Sequence, residues 1–170
     1  MPDTTFVALG ANLPLEGVPA RAVLSLAVSA LRSAGLTPRA LSGIWETAAW
    51  PPESGQPDYY NAVVELDRAG LAPQQLYEAL AAIERRFGRE RRERNSARTL
   101  DLDIVAMDGL VGTFEGLELP HPRMHERAFV LAPLAEIAAD WRHPIMGRTA
   151  SELLADLPVS RYRRVSDLAG

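Results

Sequence analysis

The chain has 170 residues and a net charge of −4; 47% of the residues are hydrophobic and 24% are charged. These values are ordinary for a globular domain and do not favour general nucleic-acid binding, which needs a basic surface. Cysteine is absent, which excludes disulfides and fits a cytoplasmic location. The sequence shows neither a signal peptide nor the roughly 20 apolar residues of a membrane span. We therefore expect residues 1–170 to form a single cytoplasmic domain.

The spacing of apolar residues predicts the secondary structure in chain order. We expect strands over residues 4–10, 36–47, 59–67 and 99–107, and helices over residues 19–35 and 72–88. A hairpin-type turn at Asp108–Gly109 leads to another extended segment, and the remainder is predicted to be helical in two pieces, 119–140 and 149–157. The order βαββαβ predicts an α+β fold: a ferredoxin-like core with an antiparallel sheet and additional C-terminal helices. Such a fold does not specify an activity.

Two carboxylates lie two residues apart in the last core strand, TLDLDIVAM. Strand alternation places Asp101, Asp103 and Val105 on one face, and Leu100 and Leu102 on the other. The carboxylates then project in parallel, about 6.6 Å apart along the strand. Such oxygen ligands suit Mg²⁺, which usually completes its coordination with waters and substrate phosphates. The alternative is the solvated polar face of a half-exposed antiparallel strand.

Arginines are concentrated directly before this strand. All 18 basic residues are arginine, and seven of them lie between Arg85 and Arg98, against the three glutamates Glu84, Glu90 and Glu93. An arginine-rich loop is usually a solvated surface, but arginine also binds phosphate oxygens through paired donors. Because the loop leads into the carboxylate strand, cationic and anionic groups meet at one end of the sheet. This combination indicates nucleotide chemistry, since phosphoryl transfer depends on charge stabilisation and alignment.

Several other side chains are candidates for ligand contacts. His121 lies in a proline-rich loop, and Asn61 lies in a strand, where its amide suits the edge of a heterocyclic base. Trp50, Tyr59 and Phe129 have flat rings that can stack on such a base, although packing is the ordinary role of each. The sequence contains no G-x-x-x-x-G-K-[ST] motif, the glycine-rich loop that binds nucleotide phosphates in many enzymes.

Four segments resemble, in order and spacing, the 6-hydroxymethyl-7,8-dihydropterin pyrophosphokinases of folate biosynthesis. They are FVALGANL, QPDYYNAVVEL, IERRFGRERRERNSARTLDLDIV and LPHPRMHERAFVLAPLAEIA. The resemblance runs from about Phe6 to Asp140, and RTLDLDI followed by PHPRMHERAFVL is its most specific part. It implies transfer of the β,γ-pyrophosphoryl unit of ATP to the hydroxymethyl oxygen of the pterin, with release of AMP and the use of two Mg²⁺ ions.

The resemblance also implies a role for individual residues. Asp101 and Asp103 match the metal ligands and, with Arg91 and Arg98, are the expected catalytic residues. The expected ATP contacts are Glu84, Arg89, Arg92, Arg98, His121 and Arg127. The expected pterin contacts are Gly10, Thr47, Trp50, Tyr59, Asn61 and Phe129. The family pattern usually has a tryptophan where this chain has Asn95, which bears on how the arginine loop closes.

Two alternative hypotheses belong to other functional classes. A ferredoxin-like RNA-binding module would need stacking aromatic residues in its sheet, where this chain carries carboxylates that repel phosphate unless metal intervenes. A catalytically inactive relative is disfavoured because Asp101, Asp103 and His121 are all present. We expect a monomer whose partners are ATP and hydroxymethyldihydropterin, with no nucleic acid and no membrane.

Overall fold

The computed structural model describes residues 4–49, 52–88 and 99–169. These residues form eight strands and four α-helices. The strands are β1 (Thr4–Ala11), β2 (Thr37–Leu41), β3 (Gly43–Thr47), β4 (Tyr59–Asp67), β5 (Asp101–Met107), β6 (Gly112–Phe114), β7 (Leu117–Leu119) and β8 (Tyr162–Asp167). The helices are α1 (Ala20–Ser33), α2 (Pro73–Arg86), α3 (Ala128–Ala138) and α4 (Ala150–Asp156), with 3₁₀ turns at Pro52–Ser54 and Met124–Glu126.

The main sheet is antiparallel and has the strand order β5-β1-β4-β3-β8, while β2 pairs with β4 in line with β3. When β2 and β3 are counted as one interrupted strand, the elements from β1 to β5 form the βαββαβ core, and β8 extends the sheet beyond β3. The predicted α+β class with an antiparallel sheet and further C-terminal helices is confirmed.

Helices lie on both faces of this sheet. α1 and α2 pack on one face, where Leu9 and Ile104 belong to the larger apolar core. α3 and α4 pack on the other face, where Phe6 and Val105 belong to a second core. Strand alternation accounts for this division, because successive side chains point to opposite faces. None of the described helices has the length and apolar character needed to cross a membrane.

The end of α1 follows from its local sequence. Gly35 adopts a φ of +81°, the left-handed conformation that glycine favours, and it stops the helix as the sequence predicts. The N–H of Leu36 donates to the carbonyl of Leu31 at 2.9 Å, and the N–H of Gly35 donates to the carbonyl of Arg32 at 3.0 Å. These two bonds close the helix and direct the chain into β2.

The predicted strand over residues 36–47 is interrupted at Ser42 and forms β2 and β3 instead. Ser42 is buried; its Oγ donates to the carbonyl of Gly43 at 2.7 Å and accepts the N–H of Val63 at 2.9 Å. Its own N–H donates to the carbonyl of Val63 at 3.0 Å. The hydroxyl of Ser42 therefore takes the place of a backbone carbonyl as the acceptor for the N–H of Val63. The alternation of apolar residues in a strand does not reveal such an interruption.

Three features of the C-terminal third differ from the predictions. The turn at Asp108–Gly109 leads to β6, but β6 pairs with β7 in a separate two-stranded sheet and not with β5. The first helical piece begins only at Ala128, because Pro120 and Pro122 lack the N–H groups that a helix needs. The sequence does not predict β8, because its many charged residues are typical of a solvated segment. β8 is a strand because it pairs with β3.

We predict that Ser42→Ala lowers the free energy of unfolding by about 1–3 kcal/mol, because the buried N–H of Val63 loses its acceptor. Denaturant unfolding followed by circular dichroism measures the change. Ser29→Ala, on the exposed side of α1, is the matched control and should have little effect. Equal stability of the two variants would show that the hydroxyl does not support the sheet.

Candidate functional site

Antiparallel pairing places four residues in one row across the main sheet. Gly10 of β1 pairs with Asp101 of β5 on one side and with Asn61 of β4 on the other. Asn61 in turn pairs with Trp45 of β3. Side chains of directly opposed residues share a face, and neighbouring strands are about 4.8 Å apart, so Asp101 and Asn61 lie roughly 10 Å from each other. Asp101, Gly10, Asn61 and Trp45 are called the site row below.

The amide of Asn61 is held near the centre of the site row. Asn61 is buried, and its Nδ2 donates to Oγ1 of Thr47 at 2.9 Å. Thr47 pairs with Tyr59 at the start of β4, which places both on the face of the site row. A Cβ at Gly10 would lie 3.1 Å from Oδ1 of Asn61. Because glycine has no side chain, this oxygen is not crowded from the β1 side. The structure thus brings together Gly10, Thr47, Tyr59 and Asn61 from the predicted pterin contacts.

Asp101 and Asp103 project from the same face of β5, as the alternation of the sequence predicts. Both are partly exposed, whereas Leu102 between them is buried. Asp103 pairs with Ala8, two residues along β1 from Gly10. The partners of both carboxylates on β1 are therefore small, which leaves room in front of the pair.

Glu84 anchors the strand that carries these carboxylates. It lies near the end of α2, where it is buried, and its Oε2 accepts the N–H of Leu102 at 2.7 Å. Thr99 adds a second link, since its Oγ1 donates to the carbonyl of Phe87. The segment between Asp101 and Asp103 is therefore tied to α2. The predicted contact of Glu84 with ATP stays a prediction.

His121 lies beside β5, on the loop that follows β7. Its N–H donates to the carbonyl of Val105 at 2.8 Å, and its Nδ1 accepts the N–H of Arg123 at 3.2 Å. The pKa of His121 is lowered to about 4, mainly by burial and to a lesser extent by the positive charge of Arg127. The negative charge of Asp101 acts in the opposite direction. The imidazole is therefore neutral at pH 7, and because Nδ1 accepts, Nε2 carries the proton.

Arg127 and Phe129 form a pair at the start of α3. The Arg127 guanidinium carbon lies 5.4 Å from the centroid of the Phe129 ring, a cation–π contact, and Phe129 is 36% exposed. Burial lowers the pKa of Arg127, while the negative charges of Asp103 and Asp101 act against this. Arginine keeps its charge at any physiological pH, so this pair presents a cation and an exposed ring near the carboxylates.

Some predicted contacts lie outside the described residues, and the sequence does not predict one residue of the site row. The contacts outside are those of Trp50, Arg89, Arg91, Arg92 and Arg98, and Asn95 lies outside as well. The sequence pattern does not single out Trp45, although its position two residues before Thr47 indicates a shared strand face. Its place beside Asn61 depends on the pairing of β3 with β4, which the sequence alone does not show.

The carboxylate pair fits a hard cation such as Mg²⁺. Both donors are oxygens, neither residue is buried, and the small partners on β1 leave space for phosphates and waters. In the part of the chain that the structure describes, no group of three or more histidine, cysteine, aspartate or glutamate side chains is arranged to hold a metal ion. Asp101 and Asp103 are the described residues that would hold magnesium.

Comparison with known proteins adds an independent line of argument. Residues 6–139 match the family model described as 7,8-dihydro-6-hydroxymethylpterin-pyrophosphokinase (HPPK). A protein of Synechocystis sp. named 2-amino-4-hydroxy-6-hydroxymethyldihydropteridine pyrophosphokinase is 40% identical over 149 residues, which cover 87% of this chain and 73% of that protein. A protein of the same name from Pseudomonas aeruginosa is 38% identical over 167 residues, covering 97% of this chain and 98% of that protein.

A solved structure shares the fold. The wild-type HPPK-DHPS of Plasmodium falciparum with pteroate aligns with a TM-score of 0.65 over 89% of this chain and 44% of that chain. The two sequences are 12% identical, so this likeness concerns the fold alone. The family model and the similar sequences together show that the chain belongs to the 7,8-dihydro-6-hydroxymethylpterin-pyrophosphokinase family.

Proposed function

We propose that the protein transfers the pyrophosphoryl group of ATP to the hydroxymethyl oxygen of 6-hydroxymethyl-7,8-dihydropterin and releases AMP, a reaction of folate biosynthesis. The observation that carries this proposal is the site row, which joins the carboxylate of Asp101 to the amide of Asn61 across Gly10. Membership of the pyrophosphokinase family supports the same reaction.

Asn61 and Thr47 recognise the pyrimidine ring of the pterin. Because Nδ2 of Asn61 donates to Thr47, its Oδ1 lies on the side of Gly10. The pterin offers N–H donors at N3 and at its exocyclic amino group, which suit such an acceptor. The missing side chain at Gly10 lets the flat ring approach the sheet. We propose that the rings of Tyr59 and Phe129 stack on the pterin and that Trp50 covers it.

Arg127 and His121 bind the phosphates of ATP. Arg127 supplies a permanent positive charge near the carboxylate pair. His121 is neutral and donates a hydrogen bond from Nε2, so it stabilises phosphate oxygens without acting as a general acid near pH 7. We propose further ATP contacts from Glu84, Arg89, Arg92 and Arg98, with Arg91 and Arg98 acting in catalysis.

Asp101 and Asp103 hold two magnesium ions in this proposal. Magnesium, when bound, neutralises phosphate charge and helps to align the groups that react. The carboxylates would hold it at the end of the site row where the hydroxymethyl group of the pterin is proposed to react. Glu84 keeps this end in register by holding the Leu102 N–H.

The remaining proposals concern the protein as a whole. Residues 1–170 act as a single pyrophosphokinase domain, which is supported by a main sheet that runs from β1 to β8. We propose a cytoplasmic monomer whose partners are ATP and the pterin, with neither nucleic acid nor membrane. The absence of cysteine from the sequence supports the location.

We predict that Asp101→Ala lowers the rate of AMP formation by about a thousandfold or more, because a magnesium ligand is lost. Chromatography of the nucleotides after incubation with ATP, Mg²⁺ and the dihydropterin measures this rate. Asp140→Ala, at an exposed position after α3, is the matched control and should keep the wild-type rate. Formation of ADP instead of AMP by the wild type would exclude the proposed reaction, and undiminished turnover by folded Asp101→Ala would exclude the metal site.

We predict that Thr47→Val raises KM for the pterin by about tenfold to a hundredfold and leaves KM for ATP unchanged. Valine keeps the shape of threonine but removes the acceptor that orients the Asn61 amide, and a buried unpaired donor costs free energy. Thr47→Ser keeps the hydroxyl and should stay within about threefold of the wild type. Steady-state kinetics with each substrate varied in turn measures both constants, and equal pterin KM values in the two variants would contradict this role.

We predict that the imidazole of His121 titrates near pH 4 in the metal-free protein. The unfolded chain binds this proton near pH 6.5, so acid favours unfolding, and the stability linked to neutral His121 is lost as pH falls from about 6.5 towards 4. Nitrogen-detected NMR across this pH range gives the midpoint, and His121→Asn identifies the resonance. The same variant should lose less stability than the wild type between pH 7 and pH 5. A midpoint near 6.5 would refute the neutral-donor assignment.

A further inference from the structure

Trp45 occupies the end of the site row farthest from the carboxylates. It pairs with Asn61, which lies between it and Gly10, so three strand spacings, about 14 Å, separate it from Asp101. Its side chain shares the face of Asn61 and is only partly buried. An indole therefore stands directly beyond the amide that recognises the pterin.

The indole is fixed by a carboxylate from α3. Oε1 of Glu136 accepts Nε1–H of Trp45 at 2.9 Å and the N–H of Gly43 at 3.0 Å, while Oε2 accepts Nε–H of Arg164 at 3.1 Å. Burial alone would raise the pKa of Glu136, but these bonds outweigh it and lower the pKa, so the carboxylate is charged and a strong acceptor. Trp45 cannot turn away without breaking this cluster.

The C-terminal strand supports the indole from its outer side. Tyr162 of β8 pairs with Thr47, and its ring centroid lies 5.9 Å from that of Trp45, with the two planes inclined by 46°. The guanidinium of Arg164 lies against Gly43, where a Cβ would collide with it. Glu136 and Tyr162 therefore confine the indole from two directions.

The chemistry of the substrate determines which of its atoms lies nearest to Trp45. The hydroxymethyl group on C6 must reach Asp101 and Asp103, where the phosphates and magnesium are proposed to bind. The opposite end of the fused bicycle is the pyrimidine ring, with N3 and the exocyclic amino group on C2. The pyrimidine ring contacts Asn61 and Thr47, so a substituent on the exocyclic nitrogen would extend along the site row towards the indole of Trp45.

We propose that Trp45 is a specificity-determining residue that closes the distal end of the pterin pocket, admitting a free 2-amino group and excluding pterins alkylated on that nitrogen. This inference rests on the proposed function, because it takes the orientation of the pterin from the place of the reaction. Glu136 is a positioning residue in this arrangement, since it acts through Trp45.

The test compares two substrates, 6-hydroxymethyl-7,8-dihydropterin and its N2-methyl derivative, each with ATP and Mg²⁺, by the rate of AMP formation. The wild type should prefer the free amine by roughly 10–200-fold in kcat/KM, the range for one carbon atom in a tight pocket. Trp45→Ala should reduce this preference to about threefold or less, with KM for ATP unchanged. Trp45→Phe, which keeps an aromatic ring against Tyr162 but loses the N–H and one ring, should give an intermediate preference.

Trp141→Ala is the matched control. Trp141 packs on the same face of the sheet, with its ring centroid 5.9 Å from that of Phe6, but it belongs to the second core and not to the site row. Trp141→Ala should lower stability and leave the substrate preference unchanged. A change of preference in the Trp45 variants then reflects an altered pocket and not a general loss of stability.

The outcomes separate this inference from the function on which it rests. If the wild type forms AMP with the free amine, and neither folded Trp45→Phe nor Trp45→Ala changes the preference, Trp45 only docks β8 and the inference is wrong. A wild type that accepts both substrates equally well also overturns it. If the wild type forms no AMP with the free amine, the proposed function fails and the inference fails with it.

Discussion

The pairing register of β1 with its two neighbours is the constraint on which the site depends. Gly10 lies opposite both Asp101 and Asn61, so one residue of β1 sets the distance between the end where phosphates are proposed to bind and the amide. A slip by one residue would turn Asp101 towards the core under α1 and α2 and bring Leu102 to the site face. The apolar residues that alternate with the polar ones therefore fix the chemistry as well as the fold.

One face of the sheet serves two purposes. α3 and α4 cover the part that includes Phe6, Val63 and Val105, while the part that carries the site row is left partly open. α3 belongs to both parts, because its start carries Phe129 beside Arg127 and its far end carries Glu136. Packing of a single helix thus positions side chains at the two ends of the site row.

The sequence predicts the parts of this arrangement that are local or periodic. Alternation alone places Asp101 and Asp103 on one face, and Gly35 alone stops α1, because each depends only on nearby residues. Ser42, Trp45 and β8 escape prediction because their roles come from pairing between distant segments. The arginines between residues 89 and 98 remain predictions by resemblance, since they lie outside the described residues.

The two ends of the site are built in different ways, and this has a consequence for selectivity. Asn61, Thr47 and Trp45 all lie on sheet strands, where backbone pairing fixes their spacing and Glu136 holds the indole. His121 and Arg127 lie outside the sheet, in the segment that follows β7 and leads into α3. A rigid sheet discriminates flat rings by shape, because it cannot widen without losing ladder bonds. Phosphates are recognised largely by charge, and the interaction between charges extends over a longer distance than the contact of a flat ring with its pocket. In the proposed function, the strands therefore select the pterin, and the segment between β7 and α3 binds the phosphates.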